Sequence, residues 1–467
     1  MRPARASGPA AAVLLAATLA ACSHIPEHAL PVPPLAARFA NQPADTASGE
    51  PAAQFWQAFQ DPQLDALVAQ ALQANPDLRA AEAHLREARA LSRLADAQLL
   101  PSVDVVASAG HQRARDFTGT PRTSGFYTAG FDVAWEADLF GRLGDAKRAA
   151  AADVLASEAG LHFVHLTVSA EVARNYFELR GLQERLRVAE ASLRTQQGVL
   201  DLVSAREQAG RGTAFDTERA RALVATTAAS VPAHEAAVLR ARYRIAVLCG
   251  QVPTALDATL DEPKPLPGLR SVALGSIGSP EGLLRRRPDV QAAEMQVESA
   301  FARAGAARGD LFPHITLGGT IGQNALTLGT LGDSASYAYN LGAQLAWNLL
   351  DFGRLRAEVA AADARGDAAM SGYEQAVLGA LEETEGALAT YTRSQRQAEH
   401  LFDAARAAES AAAIARERFR VGVSDFLAVL DAEREELSAR DQLAQAQTAA
   451  ATSLVGVFKA LGGGWTI

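Results

Sequence analysis

Cysteine is scarce: 467 residues hold two, Cys22 and Cys249. Aromatic residues make up only 6% of the chain. The body of the sequence has no continuous apolar run that would cross a bilayer as a helix. Positive charge is not in excess either. The formal net charge is −9, which makes nucleic acid a poor partner. No nucleophile elbow, phosphate loop or complete metal constellation is present, so no enzyme class and no cofactor is supported. His162 and His165 stand three apart on a helical pattern, a metal-like spacing. No third ligand accompanies them, so they read as packing or surface. Arg285-Arg286-Arg287, just before Pro288, reads as a solvated cluster at a helix start.

What is abundant is alanine, the best helix former and small enough to let helices approach closely. Against that background, the stretch from Leu311 to Arg354 stands out. Ile315, Leu317, Gly319 and Ile321 alternate with Thr316, Gly318, Thr320 and Gly322. Tyr337, Tyr339, Leu341, Ala343, Leu345, Trp347 and Leu349 alternate with Ala338, Asn340, Gly342, Gln344, Ala346 and Asn348. Period two over such lengths predicts two strands, each with one apolar and one polar or small face. An earlier copy exists. Leu100-Pro101 returns as Phe312-Pro313, Pro76-Asp77 as Pro288-Asp289, Phe140-Gly141-Arg142 as Phe352-Gly353-Arg354, and Gly250 as Gly462, each 212 positions on. One spacing shared by four anchors is an internal duplication. In the first copy Tyr127, Ala129, Phe131, Val133 and Trp135 form one face, and Asp132 and Glu136 fall on the other.

The chain begins with a short positive region and an apolar core, which read as a signal peptide over residues 1–21. Leu19-Ala20-Ala21-Cys22 resembles a lipoprotein lipobox, with Cys22 as the acylated first mature residue and Ser23 in keeping with an outer-membrane destination. Cys22 is then spent, no intramolecular disulfide forms, and Cys249 reads as a small buried hydrophobe. Residues 22–54, rich in proline and small residues, read as a tether. The first repeat spans 55–250, with a hairpin at about 101–139 and long helices over about 141–249. Within it, Leu179, Leu182, Leu186, Ala189, Leu193, Gln196, Leu200 and Val203 form a coiled-coil seam. Roughly 69 helical residues at 1.5 Å each reach ~100 Å. Residues 251–280 form a linker. The second repeat spans 281–462, with a helix over 281–311, a hairpin at about 313–350 and long helices at about 353–461. Residues 463–467 are a tail.

Four strands cannot close a barrel, and membrane barrels need about eight or more. The expected fold is therefore mixed and mostly α: a trimeric tube. Each of three chains would contribute four strands to a 12-stranded outer-membrane barrel and long helices to a periplasmic helical barrel. Small residues with Asp132, Glu136, Asn340, Gln344 and Asn348 would line a wet lumen.

At this point the chain resembles the TolC-like outer-membrane efflux proteins, and in particular the lipoprotein channel subunits of tripartite systems. The resemblance rests on the lipobox at Cys22, on Phe55-Trp56 with Phe59-Gln60-Asp61-Pro62, on Asn75-Pro76-Asp77-Leu78, on both hairpins, on Leu350-Asp351-Phe352-Gly353-Arg354, and on the stretch from Phe419 through Gly422 to Leu430-Asp431-Ala432. It covers essentially the whole mature chain. It implies a homotrimer embedded in outer-membrane lipid, a periplasmic adaptor (membrane fusion) protein, an inner-membrane transporter of the RND type, and passive export of small molecules without chemistry. It further implies a periplasmic gate. Asp431 matches the constriction aspartate, and Leu427 the apolar ring residue four before it. Phe419 stands where an aromatic, often Tyr, helps hold the tip shut. Glu218 faces the same aperture from the first repeat. Ala428 sits where some relatives carry a second aspartate, so the acidic ring is single or double. Spacing alone also allows Asp431 to pair with Arg434. The rival readings are a lipid-anchored periplasmic scaffold and a channel for protein secretion.

Overall fold

The computed structural model describes residues 30–31, 33–43, 49, 54–115, 119–266 and 276–463. Cys22 and the expected signal segment lie outside these residues. Eight α-helices of seven or more residues and four strands organise the described chain. They are α1 (Pro62–Ala74), α2 (Pro76–Ala97), β1 (Ser102–Arg115), β2 (Pro121–Ala137), α3 (Arg142–Gln208), α4 (Ala214–Leu248), α5 (Pro280–Arg286), α6 (Pro288–Gly309), β3 (His314–Ala325), β4 (Tyr337–Ala346), α7 (Phe352–Arg420) and α8 (Phe426–Ala460). Two compact units emerge. One comprises residues 84–158 and 292–375 and carries the sheet; the other comprises the described parts of 33–83, 159–291 and 376–463 and carries the main apolar core.

The duplication is written into individual hydrogen bonds. Gly210 and Gly422 both adopt left-handed backbone (φ 70° and 82°) and close the long helices α3 and α7. In each case the following residue's N–H bonds back to a carbonyl five positions earlier, Arg211 to Arg206 and Val423 to Arg418. Glycine takes this conformation without a Cβ penalty. Thr213 and Asp425 then cap α4 and α8. The Trp135 indole donates to the Leu99 carbonyl at 2.9 Å, and the Trp347 indole donates to the Leu311 carbonyl at 3.1 Å. The repeats differ where chemistry is optional. Asn75 bonds the Leu248 carbonyl and caps α2 through its own side chain. Its counterpart Arg287 bonds the Ala460 carbonyl and pairs with Asp289 and Glu383. Arg287 is therefore buried and ion-paired, and the reading of the whole arginine run as solvated is corrected. Buried charge persists only when partnered, and here it is. The expected helix over 281–311 is also two helices, because the residue before Pro288 is driven extended (ψ 121°).

The core lies where the two repeats meet within the second unit. Phe55 stacks on Phe458 at 5.3 Å, and Phe59 packs on Phe177 at 4.6 Å. Leu64, Val172, Leu179, Ile245, Leu283 and Leu388 are buried with them. Each such side chain contributes about 1.5–3 kcal/mol of apolar burial. Arg180 is buried as well; its guanidinium donates to Gln63, Gln183 and the Glu262 carbonyl, which ties the segment after α4 to α3. Part of the expected tether is docked. Phe39 enters the core, and the Ala40 and Asn41 N–H groups donate to Glu385 on α7. Cys249 is buried, as its apolar run suggested, and burial pushes its thiol up to about 11.

On α7 the buried positions Val377, Thr384, Tyr391, Ala398, Ala405, Ala412 and Phe419 recur every seventh residue. That is a coiled-coil stripe with alanines at its narrow points. On α3 the buried members of the expected seam are Leu179, Ala189, Gln196 and Val203. Among the described residues one helix, α4, holds a window of mean hydropathy 1.2 that is long enough to cross a bilayer. The helix also carries Pro232, His234 and Glu235.

Candidate functional site

The two hairpins pair with each other into one antiparallel sheet of order β1-β2-β3-β4. Residues opposite one another in such a sheet share a face. The register aligns Val105, Phe131, Ile321 and Tyr339 in one row, and Val103, Val133, Gly319 and Leu341 in the next. Trp135 sits opposite Leu317 on the same face. These side chains are open to the surroundings: Tyr339 is 74% exposed and Leu341 85%. An apolar face of this extent is not stable against water. The other face carries the row Asp104, Asp132, Thr320 and Asn340, and the row Glu136, Thr316 and Gln344. Asp132, Glu136, Asn340 and Gln344 thus share one polar face. Glycine thins that face at one crossing, where a Cβ on Gly130 would lie 2.5 Å from the Ile321 carbonyl oxygen.

Two expectations change here. Strand β4 ends at Ala346, so Asn348 is not a strand residue. The Leu349 N–H bonds the Trp347 carbonyl and the Asp351 N–H bonds the Asn348 carbonyl, turning the chain toward α7. Glu136 is on the polar face but is not a free charge. Arg142 holds it at 2.8 Å and His314 at 3.1 Å.

The tip of the second unit is built from the C-terminal turns of α3 and α7 and the first turns of α4 and α8. Val203, Ala220, Leu223, Phe419, Phe426, Val429 and Leu430 form its small core. Phe419 is 6% exposed, so it lines no opening of this chain. Its ring lies under the Arg206 guanidinium (4.2 Å to the centroid), and Arg206 also donates to the Phe419 carbonyl at 2.7 Å. Phe419 thus packs inside the core of the tip. Leu427 and Asp431 stand one helical turn apart on α8, both exposed. Among the described residues Asp431 has no ion pair or hydrogen bond, and Arg434 does not reach it. Glu218 is exposed on α4 and pairs with Arg221.

Behind Asp431 lies a polar cluster that sequence reasoning missed. Glu433 and Glu436 of α8 are buried beside Arg416 of α7 and Arg440 of α8. One signal was available: Glu433 follows the buried Phe426 by seven residues, so the stripe on α8 places a carboxyl where a hydrophobe is expected. Among the described residues no three His, Cys, Asp or Glu side chains converge on a metal-sized site. His165 is half-buried; burial, and then the neighbouring His162, hold its imidazole below the ordinary range.

Comparison with known proteins supplies the remaining observation. The family profile described as outer membrane efflux protein matches residues 67–251 and 280–463, one segment in each repeat. The pyoverdine export outer membrane protein OpmQ of Pseudomonas putida is 34% identical over 434 residues, covering 90% of each chain. The toluene efflux pump outer membrane protein TtgI of Pseudomonas putida is 32% identical over 466 residues, covering 96% of this chain and 97% of that one. Among solved structures, the outer-membrane channel OprN superposes with a TM-score of 0.90 at 38% identity, covering 95% of this chain and all of that one. The open state of the Neisseria gonorrhoeae MtrE channel superposes with a TM-score of 0.83 at 29% identity, covering 95% and 99%.

Proposed function

Because this chain belongs to the outer membrane efflux protein family, we propose that three copies of it close one barrel in the outer membrane and share a single export lumen. It is an outer-membrane efflux channel component. The observation that carries the trimer is the sheet. It has four strands, β1 and β4 have no further partner among the described residues, and one face is apolar and exposed. An open edge inside lipid leaves backbone groups unsatisfied, so the sheet needs neighbours to close it. Three four-stranded sheets reach the size of a membrane barrel. The row of Asp104, Asp132, Thr320 and Asn340, with Gln344, then faces water inside.

The partners follow from the same reading. We assign the tip to a periplasmic adaptor and, through it, to an inner-membrane pump of the RND type that supplies the energy. The substrates are small molecules, in keeping with relatives named for pyoverdine and toluene. Cys22 is the acyl anchor. Asp431, exposed and unpaired, forms the constriction with Leu427 one turn before it, and Glu218 contributes from α4. Like charges around a narrow axis favour cations and exclude anions.

Single-channel recording tests this. The purified protein in a planar bilayer should give small, cation-selective openings, and Asp431→Ala should enlarge them roughly several-fold. Identical conductance in the two proteins removes Asp431 from the gate. Insertion of assembled trimers with no conductance from either favours the scaffold reading.

A further inference from the structure

The cluster behind Asp431 has more acid than base. Arg440 of α8 holds Glu409 of α7 at 2.6 Å and Glu436 at 3.1 Å. Arg416 of α7 holds Glu436 at 3.0 Å. Glu433 is left over. Its nearest cation is Arg416 at 3.6 Å, too long for a hydrogen bond, and neither carboxyl oxygen accepts one. Yet Glu433 is only 4% exposed. Facing it from α3 is Gln196, 2% exposed, whose amide oxygen and nitrogen also lack partners. Both line a cavity of about 40 Å³, to which α3 adds Ala191, Ser192 and Thr195, none of them ionisable, and the cluster adds Arg416, Glu436 and Arg440. A buried amide or carboxyl left without a hydrogen-bond partner is destabilising. The cavity is polar and has room for one water, which needs 2–4 polar partners.

We propose that Gln196 and Glu433 hold a buried water between α3 and α8, and that with a proton on Glu433 this assembly is a latch that positions Asp431, two residues away on α8. The proposal rests on the reading of Asp431 as the constriction. A protonated carboxyl donates one hydrogen bond and accepts another, so carboxyl, water and amide satisfy one another. An ionised Glu433 carries charge into a site whose arginines are already committed to Glu436 and Glu409. Burial holds the Glu433 carboxyl above the usual carboxylate range; Arg416 opposes this and Glu436 adds to it. The sign follows. An acid raised in the folded state stabilises the packed form fully below its unfolded pKa, and that contribution is lost as pH rises through the folded value. The latch therefore holds at low pH and loosens as pH rises. Glu433 and Gln196 are positioning residues, since neither faces the exported solute.

The test is bilayer conductance of the full-length trimer at about pH 5.5 and about pH 8, both above the ordinary range of an exposed aspartate. Wild-type conductance should rise with pH, roughly twofold or more. Glu433→Gln keeps the neutral hydrogen-bonding form and should hold the low-pH conductance at both values. Asp431→Ala, recorded alongside, should be raised at both values and lose most of the pH dependence, because the latch acts by positioning that carboxylate. A Glu433→Gln channel that follows the wild-type profile, or a flat wild-type profile, overturns the latch while leaving the constriction reading intact if Asp431→Ala is raised. An unraised Asp431→Ala channel sinks the constriction reading instead. Should Glu433→Gln not assemble, Gln196→Leu decides the matter: losing the amide removes support for the neutral carboxyl and should move the conductance midpoint to lower pH, and an unmoved midpoint overturns the latch.

Discussion

Asn75 and Arg287 occupy equivalent positions in the two repeats, and both reach a carbonyl at the end of a return helix. The fold requires only a donor there; the rest of each side chain was free to diverge. The same tolerance explains Phe419. A hydroxyl at that site would offer a hydrogen bond, whereas here the Arg206 guanidinium covers the ring and bonds the backbone, an interaction of about 1–2 kcal/mol. Helical spacing placed Asp431 one turn after Leu427, and only the family resemblance assigned it to the constriction. For Glu433 the one clue was its seven-residue spacing from Phe426, since a glutamate among the polar residues of a coiled coil looks solvated until α3 is packed over it. Cys22 is the residue-scale claim that rests on sequence alone. A single acyl chain binds a membrane only marginally, and several on one residue anchor it stably. Mass spectrometry of the mature N-terminal peptide should find Cys22 acylated; an unmodified, cleaved terminus would end that assignment.

At the scale of the element, alanine and glycine determine how closely helices approach. Gly181 of α3 lies against Thr448 of α8, and a Cβ there would stand 1.9 Å from the Thr448 hydroxyl. Gly181→Leu should therefore force α3 and α8 apart and cost about 1–3 kcal/mol or more. Thermal melting and trimer recovery in detergent are the measurements, and a variant as stable as the wild type would show that the contact is not tight. The heptad stripe on α7 could be read in advance from spacing. The break at Arg287-Pro288 could have been read too, since proline disfavours helix at the preceding residue. The end of β4 at Ala346 could not. Alternation continues through Leu349, and only the turn bonds at Trp347 and Asn348 stop the strand.

For the whole molecule the decisive fact is a sheet whose edge strands, β1 and β4, have no further partner among the described residues. If three copies close it, β1 of one copy lies beside β4 of the next. Cysteines placed singly at Val103 or Val105, paired with one at Tyr339, Leu341 or Ala343, should yield oxidised species ending at three chains. One register should dominate, because slipping a strand by one residue exchanges its faces. Ladders that continue past three chains, or no crosslink in any pair, would refute the closed trimer.

The sequence by itself determined the duplication, the two-faced strands, the long helices and the family, because each is periodic or local: strands repeat every two residues, coiled coils every seven, and the copies every 212. Tertiary structure alone decided that the two hairpins form one sheet, that Arg287 and Phe419 are buried, that residues 39–41 dock on α7, and that Glu433 meets Gln196 without a hydrogen bond. These are pairings across more than a hundred residues. Burial and partner, which set a charged group's chemistry, are properties of what packs against it and leave no mark in its own neighbourhood of the chain.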